Sequence, residues 1–210
     1  MEDTNTDFRI GISSIYPITI IQKQKHSFWH GALIVRLQLS STRHLNILLT
    51  HLNPFHATAR KKECEQIVAT IQSSPHSNEE WLVMGDLNSL SRLDESSYNA
   101  SNIVTTLTQT DKLSQKFLTE DHTAVDYAPL DTLMIDGELR DLSSSRNQLG
   151  HLDYSVPTLL DVDDMHATHM RLDYVFGNES IANKVSRCGV LRNEETGILS
   201  DHYPVILDFE

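Results

Sequence analysis

Stretches in which apolar and polar residues alternate predict a series of β-strands. The alternation is clear over 31–39 and over 44–51, where Ile47 and Leu49 share one face and Leu48 lies on the other. Apolar residues on both faces are typical of a central strand that is covered from two sides. Similar patterns predict further strands over 9–21, 81–84, 170–176 and 205–209.

A helical repeat of apolar residues follows the predicted central strand. Between residues 59 and 72 the apolar positions recur at helical spacing: Cys64, Ile67, Val68 and Ile71. Pro54 interrupts the strand pattern before this helix, and Thr58 is the expected N-cap. The basic run from Arg60 to Lys62 is expected to lie on the solvated face, as short charge runs usually do.

The middle of the chain is less regular. Two helices are predicted over 102–118 and 124–134, and a polar loop is predicted over 143–154. Gly137 is the expected stop of the second helix. The whole pattern indicates a single α/β domain over residues 9–210, with an excursion between residues 90 and 155.

Composition places the chain among soluble globular proteins. Its 210 residues are 39% hydrophobic and 22% charged, which suits one domain with a sizeable core. The formal net charge of −12 argues against broad contact with a nucleic-acid backbone, because such contact relies on clustered Lys and Arg. Residues 1–7 are mostly polar, and residues 1–8 are expected to be disordered.

Targeting and membrane segments are not visible in the sequence. The N-terminal residues lack a basic stretch followed by an apolar run, and no run of about 18 apolar residues occurs. An intracellular, cytoplasmic protein without a transmembrane segment is therefore expected. Cys64 is a predicted core residue, whereas the place of Cys188 stays open.

Polar residues gather at the ends of the predicted strands. His51 closes one strand, and Asp86 and Asn88 follow another directly after Gly85. Asp173 lies within a third strand, and Asp201 and His202 precede a fourth. In layered α/β folds functional side chains collect along one edge of the sheet. Two carboxylates, an amide and an imidazole are the groups that a metal-assisted phosphoester hydrolase needs.

Each of these segments also has a structural interpretation. Asp86 and Asn88 fit an Asx turn, and His51 fits a histidine buried in the core. Asp173 fits a buried ion pair or hydrogen bond, and Asp201 and His202 fit a turn before the last strand. The pair His166 and His169, with Asp161, Asp163 and Asp164 nearby, is a poor zinc signature and fits a loop at the edge of a pocket. Four segments that agree favour the functional interpretation.

The order of these motifs resembles the endonuclease/exonuclease/phosphatase superfamily from about Ile10 to the C-terminus. The resemblance rests on the sequences THL at 50–52, WLVMGDLNS at 81–89, YSVPT at 154–158, RLDYVF at 171–176 and SDHYPV at 200–205. It implies a deoxyribonuclease-I-like fold, a four-layer α/β sandwich. It also implies divalent-metal-dependent hydrolysis of a phosphoester by a phosphodiesterase, nuclease or phosphatase.

The resemblance assigns roles to individual residues. Asp86 matches the residue that activates the attacking water, and Asn88 matches a contact to the scissile phosphate. Asp201 matches a metal ligand, His202 the catalytic imidazole and Asp173 the carboxylate that orients it. Substrate contacts are expected from Asn88, His51 and Arg171. The expected metal is Mg²⁺, with Mn²⁺ as an alternative, because these hard cations prefer oxygen ligands.

The chain departs from the family pattern at its beginning. Members ordinarily start with a strand that carries an asparagine and a later strand that ends in the main metal-ligand glutamate. Glu2 is the only glutamate before the first matching segment, and no strand pattern supports it as the ligand. The domain is therefore expected to be incomplete on its N-terminal side. Two hypotheses follow: an active phosphoesterase acting on a small molecule, lipid headgroup or nucleic acid, or a catalytically inactive truncated product that acts as a binding module.

Overall fold

The computed structural model describes residues 9–143, 152–160, 166 and 168–210. Three sequence-based predictions therefore fall wholly or mostly outside the described residues. These are the disorder of residues 1–8, the polar loop at 143–154, and the aspartates at 161, 163 and 164.

The described part of the chain alternates strands and helices. In chain order, its strands are β1 (Ile18–Gln24), β2 (Ala32–Gln38), β3 (His44–Thr50), β4 (Glu80–Asp86), β5 (Arg140–Asp141), β6 (Asp173–Gly177), β7 (Val185–Val190) and β8 (Val205–Phe209). Its α-helices are α1 (Ala57–Gln72), α2 (Glu95–Ala100), α3 (Ile103–Leu107), α4 (Asp111–Phe117), α5 (Ala128–Asp131) and α6 (Glu179–Ala182).

A mixed sheet forms the centre of the fold, with strand order β1-β2-β3-β4-β6-β5. Strands β3 and β4 are parallel and the other neighbours are antiparallel. A parallel pair needs a crossover connection, and α1 supplies it. The apolar face of α1, including Cys64 and Ile67, packs on one side of the sheet with Leu48, Val83 and Phe176. The α/β class predicted from the sequence is thereby confirmed.

The opposite side of the central sheet packs against a second, two-stranded sheet of β7 and β8. Val35, Leu45 and Ile47 belong to the same apolar cluster as Cys188, and Leu207 packs against that cluster. Cys188, whose place the sequence left open, is therefore a buried residue between the two sheets. β3 has apolar residues on both faces because both sides of the sheet are covered, which is why its sequence predicts a central strand.

The excursion has its own apolar cluster. It contains Tyr98, Leu107, Phe117, Tyr127 and Leu172, among others. The helix predicted over 102–118 is instead two short helices, because Thr110 caps α4 by accepting a hydrogen bond from the backbone N–H of Leu113 at 3.2 Å. The helix predicted over 124–134 begins at Ala128 and continues as one π-helical turn, Thr132–Asp136. Gly137 ends it as predicted.

Local chemistry shifts several predicted boundaries. The first strand begins at Ile18 rather than Arg9, directly after Pro17. Thr58 is not the N-cap of α1: the helix begins at Ala57, with His56 in the cap position and no side-chain cap bond. Strand β7 was not predicted because apolar and polar residues do not alternate clearly in its sequence, VSRCGV. No helix of the described residues is long and apolar enough to cross a membrane.

Gly85 fixes the close approach of β3 and β4 next to the polar cluster. Its φ angle is +139°, and a Cβ atom there would lie 1.9 Å from the carbonyl oxygen of Thr50. Gly85→Ala is therefore expected to lower the free energy of unfolding by about 3–5 kcal/mol, combining backbone strain and steric overlap. Chemical denaturation measures it. Gly11→Ala is the control, because a Cβ there has no atom within 4 Å; equal stability of the two variants would contradict the prediction.

Candidate active site

Two carboxylates face each other where β4 ends and β6 begins. Asp86 and Asp173 are directly paired in the antiparallel register, and the backbone N–H of Leu87 donates to the carbonyl of Leu172 at 2.8 Å just beyond them. Burial and, second, the negative charge of Asp173 raise the pKa of Asp86. A raised pKa makes this carboxylate a stronger base once it is ionised.

His51 and Asn88 hold the Asp86 carboxylate. The Nε2 atom of His51 lies 3.2 Å from Oδ2 of Asp86. The backbone N–H of Asn88 donates to Oδ1 at 2.8 Å, and its side-chain Nδ2 donates to Oδ2 and to the carbonyl of Leu52, both at 3.2 Å. Asn88 itself has a left-handed φ of 48°. The segment is thus an Asx turn, as its structural interpretation predicted, and the turn holds the Asp86 carboxylate opposite Asp173.

His202 is paired with Asp173. Its Nδ1 atom lies 2.6 Å from Oδ2 of Asp173. Burial alone would lower the pKa of His202, but the hydrogen bond to Asp173 and the nearby carboxylates outweigh it and raise the pKa to about 9. The imidazole is therefore cationic at neutral pH and suited to stabilising negative charge on a phosphoryl group.

Ser155 sets the geometry of this pair and was not singled out in the sequence. It is fully buried. Its hydroxyl oxygen accepts the backbone N–H groups of Leu172 and Asp173 at 3.0 and 3.3 Å, while its carbonyl accepts the N–H of Tyr203 at 2.9 Å. Ser155 thereby ties the start of β6 to the segment that carries His202. Its sequence signal was membership of the YSVPT motif, for which no role was assigned.

A second histidine supports His51. The ring of His30 stacks on that of His51 with centroids 4.1 Å apart. Burial and then the neighbouring His51 lower the pKa of His30 to about 4. Burial also lowers the pKa of His51, although Asp86 opposes this effect. Both rings are therefore neutral at pH 7, and His51 is available as a neutral hydrogen-bond donor to Asp86.

Solved structures share this architecture, although no protein-family profile and no curated protein matches the sequence. An endonuclease/exonuclease/phosphatase family protein from Leptotrichia buccalis aligns over 86% of this chain and 54% of its own, at 16% identity and a TM-score of 0.50. The 3′ phosphatase NExo from Neisseria, bound to a product DNA hairpin, aligns over 85% and 64%, at 15% identity and a TM-score of 0.54. The chain has the endonuclease/exonuclease/phosphatase fold.

A third structure of this fold is a mannosyl-6-phosphatase from Bacteroides thetaiotaomicron. It aligns over 91% of this chain and 67% of its own, at 16% identity and a TM-score of 0.52. The chain thus spans between 54% and 67% of these three proteins. At such identities the comparison establishes the endonuclease/exonuclease/phosphatase fold, which was predicted from the motif order.

Among the residues that the structure describes, two groups of potential metal ligands lie at this end of the endonuclease/exonuclease/phosphatase fold. Ligand atoms of Asp86, Asp173 and His202 lie within 4.8 Å of one another, and so do those of His166, Asp201 and His202. The paired carboxylates of the first group provide oxygen donors and closely spaced negative charge, which fits Mg²⁺ or Mn²⁺. Asp201, the metal ligand expected from the sequence, belongs to the second group, which is richer in nitrogen.

An apolar cavity of about 540 Å³ borders the site. Asp173 and His202 line it together with Leu49, Met84 and Val175 from the sheet. Apolar walls strengthen the electrostatic interaction of the Asp173–His202 pair because they keep the local dielectric low.

Arg171 does not take the substrate-binding role expected from the sequence. Its side chain has no exposed surface, and its Nη2 atom lies 2.7 Å from Asp94 and 2.6 Å from Asp141. A guanidinium enclosed by two carboxylates cannot reach a ligand. We therefore assign Arg171 to the core of the excursion.

Arg60 likewise is not on a solvated helix face, although Lys61 and Lys62 are exposed. It is 1% exposed, and its Nε donates to Ser89 Oγ at 2.8 Å while Nη1 donates to the carbonyl of Asn53 at 3.0 Å. Burial lowers its pKa to about 10. Arg60 therefore links the segment that follows β3 to the segment that follows β4.

Proposed function

We propose that this protein is a divalent-metal-dependent phosphoester hydrolase. The observation that carries the proposal is the juxtaposition of a half-buried carboxylate with raised pKa, Asp86, and a cationic imidazole, His202, across the paired carboxylate Asp173. A base and a cation that face the same space can serve opposite sides of one phosphorus atom. The endonuclease/exonuclease/phosphatase fold supports the same reaction class.

Asp86 is assigned as the group that orients and deprotonates the attacking water. His51 and Asn88 keep both of its oxygens in fixed positions, as the contacts above describe. Asn88 was expected to contact the phosphate. Because its Nδ2 already donates to Asp86 and Leu52, it reaches a phosphoryl oxygen only after giving up one of these bonds.

His202 is assigned as the group that stabilises charge on the phosphoryl oxygens, with Asp173 holding its ring through Nδ1. His51, with a side chain 25% exposed, is assigned as a second neutral donor toward the phosphate. A neutral imidazole has one N–H, so His51 donates to a phosphoryl oxygen only after giving up its contact with Asp86. Removing one such donor from a hydrolase site commonly lowers kcat by about 10²–10³-fold.

Asp173 and Asp201, which each have a ligand atom within 4.8 Å of one on His202, would hold the divalent cation. When bound, Mg²⁺ or Mn²⁺ supplies charge neutralisation for the phosphoryl oxygens. The residues of the chain supply the rest: Asp86 takes a proton, and His202 offers its positive charge.

A small phosphodiester, phospholipid headgroup or nucleotide is the favoured substrate class. The net charge of −12 disfavours a long nucleic-acid backbone. The structural neighbours span both possibilities, since one holds a DNA hairpin and another is a mannosyl-6-phosphatase.

A catalytically inactive binding module is the second candidate. It is favoured by the ligand groups themselves, because neither of the two groups formed by the described residues contains a glutamate. Such a protein would keep the site geometry but hold a metal weakly.

Hydrolysis of bis(p-nitrophenyl) phosphate by the 210-residue chain distinguishes the two candidates. We expect release of p-nitrophenol with millimolar Mg²⁺, and a loss of about tenfold or more when EDTA replaces the metal, as metal-assisted hydrolysis requires. p-Nitrophenyl phosphate, a monoester, is the comparison substrate. If neither ester is hydrolysed in a metal-dependent way, the enzymatic function is refuted and the binding module is supported.

A further inference from the structure

A second group of ligands shares His202 with the proposed active site. The potential ligand atoms of His166, Asp201 and His202 lie within 4.8 Å of one another. The rings of His166 and His202 meet edge to face, with centroids 5.0 Å apart and an interplanar angle of 83°. His166 has no role in the proposed hydrolysis, although its ring contacts that of His202.

The donor set of this group differs from that of a magnesium site. Mg²⁺ is held by oxygen ligands and retains water. Two imidazoles and one carboxylate instead suit a metal ion of intermediate hardness, such as Zn²⁺. Three protein ligands with a fourth position open to water is a common arrangement for zinc.

His202 already has the outer contact of a zinc-ligating histidine. Such a histidine usually donates its second ring nitrogen to a carboxylate, which fixes the ring and increases its basicity. In this chain Nδ1 of His202 lies 2.6 Å from Asp173, so Nε2 is the nitrogen that remains for a metal. Zinc takes the place of the Nε2 proton, which is released to solvent on binding. The contact comes from outside the three-residue group and independently orients the ring.

We propose that His166, Asp201 and His202 form a Zn²⁺ site. Ligand atoms in a tetrahedral zinc site with bonds of about 2.0–2.1 Å lie roughly 3.3 Å apart. The separations of up to 4.8 Å therefore require an approach of about 1.5 Å. Asp201 is exposed and His166 is half-buried, so rotation of these two side chains supplies the movement while Asp173 keeps His202 in place.

Occupation of this site has a consequence for catalysis, which rests on the proposed function. A zinc ion on Nε2 removes the imidazole from the phosphoryl group. Zn²⁺ is thus an inhibitor of the Mg²⁺-dependent reaction, and it acts at a site that only partly overlaps that of Mg²⁺.

Sequence spacing points to a different pair of histidines. His166 and His169 form an H-x-x-H, but His169 stacks on Tyr154 with centroids 3.8 Å apart and is not in the ligand group. The proposed ligands instead join residue 166 to residues 201 and 202, which only the fold brings together. His169 is consequently a matched control: it has the same residue type and lies in the same segment.

Isothermal titration calorimetry of the 210-residue chain with ZnCl₂, in the presence of Mg²⁺, tests the site directly. We expect one bound Zn²⁺ per chain. His166→Ala is expected to weaken binding by about 100-fold or more, since loss of an outer-shell contact alone costs 10–100-fold. His169→Ala is expected to bind as the unmodified chain does, and circular dichroism verifies that both variants fold.

Two results would overturn the zinc site: no zinc binding by the unmodified chain, or equal affinities of the His166→Ala and His169→Ala variants. Calorimetry needs no substrate, so the site is tested even if the chain does not hydrolyse phosphoesters. Where hydrolysis is measurable, zinc that binds at His166 without reducing the rate would overturn the inhibitory role alone.

Discussion

Asp86→Asn is expected to reduce kcat/KM for bis(p-nitrophenyl) phosphate by about 10²–10⁴-fold, the usual contribution of a general base. The asparagine keeps the shape and the hydrogen bond from the backbone of Asn88, but it cannot take a proton from water. Steady-state kinetics at saturating Mg²⁺ measure the effect. A rate within a few-fold of the unmodified protein would exclude Asp86 as the base.

The free energy of unfolding of Asp86→Asn shows whether the lower activity comes from the lost base or from misfolding. The folded state raises the pKa of Asp86, so the folded carboxyl holds its proton to a higher pH than the unfolded one. Its ionisation therefore costs stability as pH rises above the unfolded pKa, and asparagine removes that cost. Asp86→Asn should consequently lose no more than about 1 kcal/mol at pH 7. Asp136→Asn, at an exposed position, is the control and is expected to keep full activity.

Arg171→Met is expected to lower the free energy of unfolding by about 3–5 kcal/mol, because it leaves two buried carboxylates without their counter-charge. The side chains of Asp94 and Asp141 are 5% and 0% exposed, so water cannot replace the guanidinium. Methionine has a similar length and fills most of the volume, so the loss reports charge rather than a cavity. Urea denaturation monitored by circular dichroism measures it.

Arg140→Met is the matched control for this substitution. Arg140 pairs with Glu179 at the surface, where both side chains are more than half exposed. Exposed ion pairs contribute about 0–1 kcal/mol. A further variant, Arg171→Met with Asp94→Asn and Asp141→Asn, is expected to recover part of the lost stability. If Arg171→Met cost no more than Arg140→Met, the buried network would have no special role.

Much of this fold was predictable because local pattern and tertiary burial agree. Strand β3 is apolar on both faces and lies in the centre of the sheet, and β8 has the predicted bounds. Prediction failed where a tertiary contact overrides a local preference. Arg60 looks like a surface residue by charge alone, yet it is buried because Ser89 and the backbone carbonyls of Asn53 and Lys116 accept its hydrogen bonds.

The candidate site divides in the same way. Asp86 and Asp173 were identifiable because carboxylates after or within apolar strands are conspicuous, and the sheet register brings them together. His30, Ser155 and the grouping of His166 with His202 were not identifiable, because these contacts join segments far apart in the chain. No spacing rule within one segment can reveal them.

The position of Arg171 two residues before Asp173 links the excursion to the chemistry. Arg171 binds Asp94 and Asp141. A change in the position of the excursion therefore displaces Asp173, the first residue of β6, and changes the orientation of His202. Insertions or exchanges in this region, which would otherwise be a convenient place to vary specificity, must therefore preserve its acidic anchors. Sequence variation in the excursion and the geometry of the candidate site both depend on the ion pairs of Arg171.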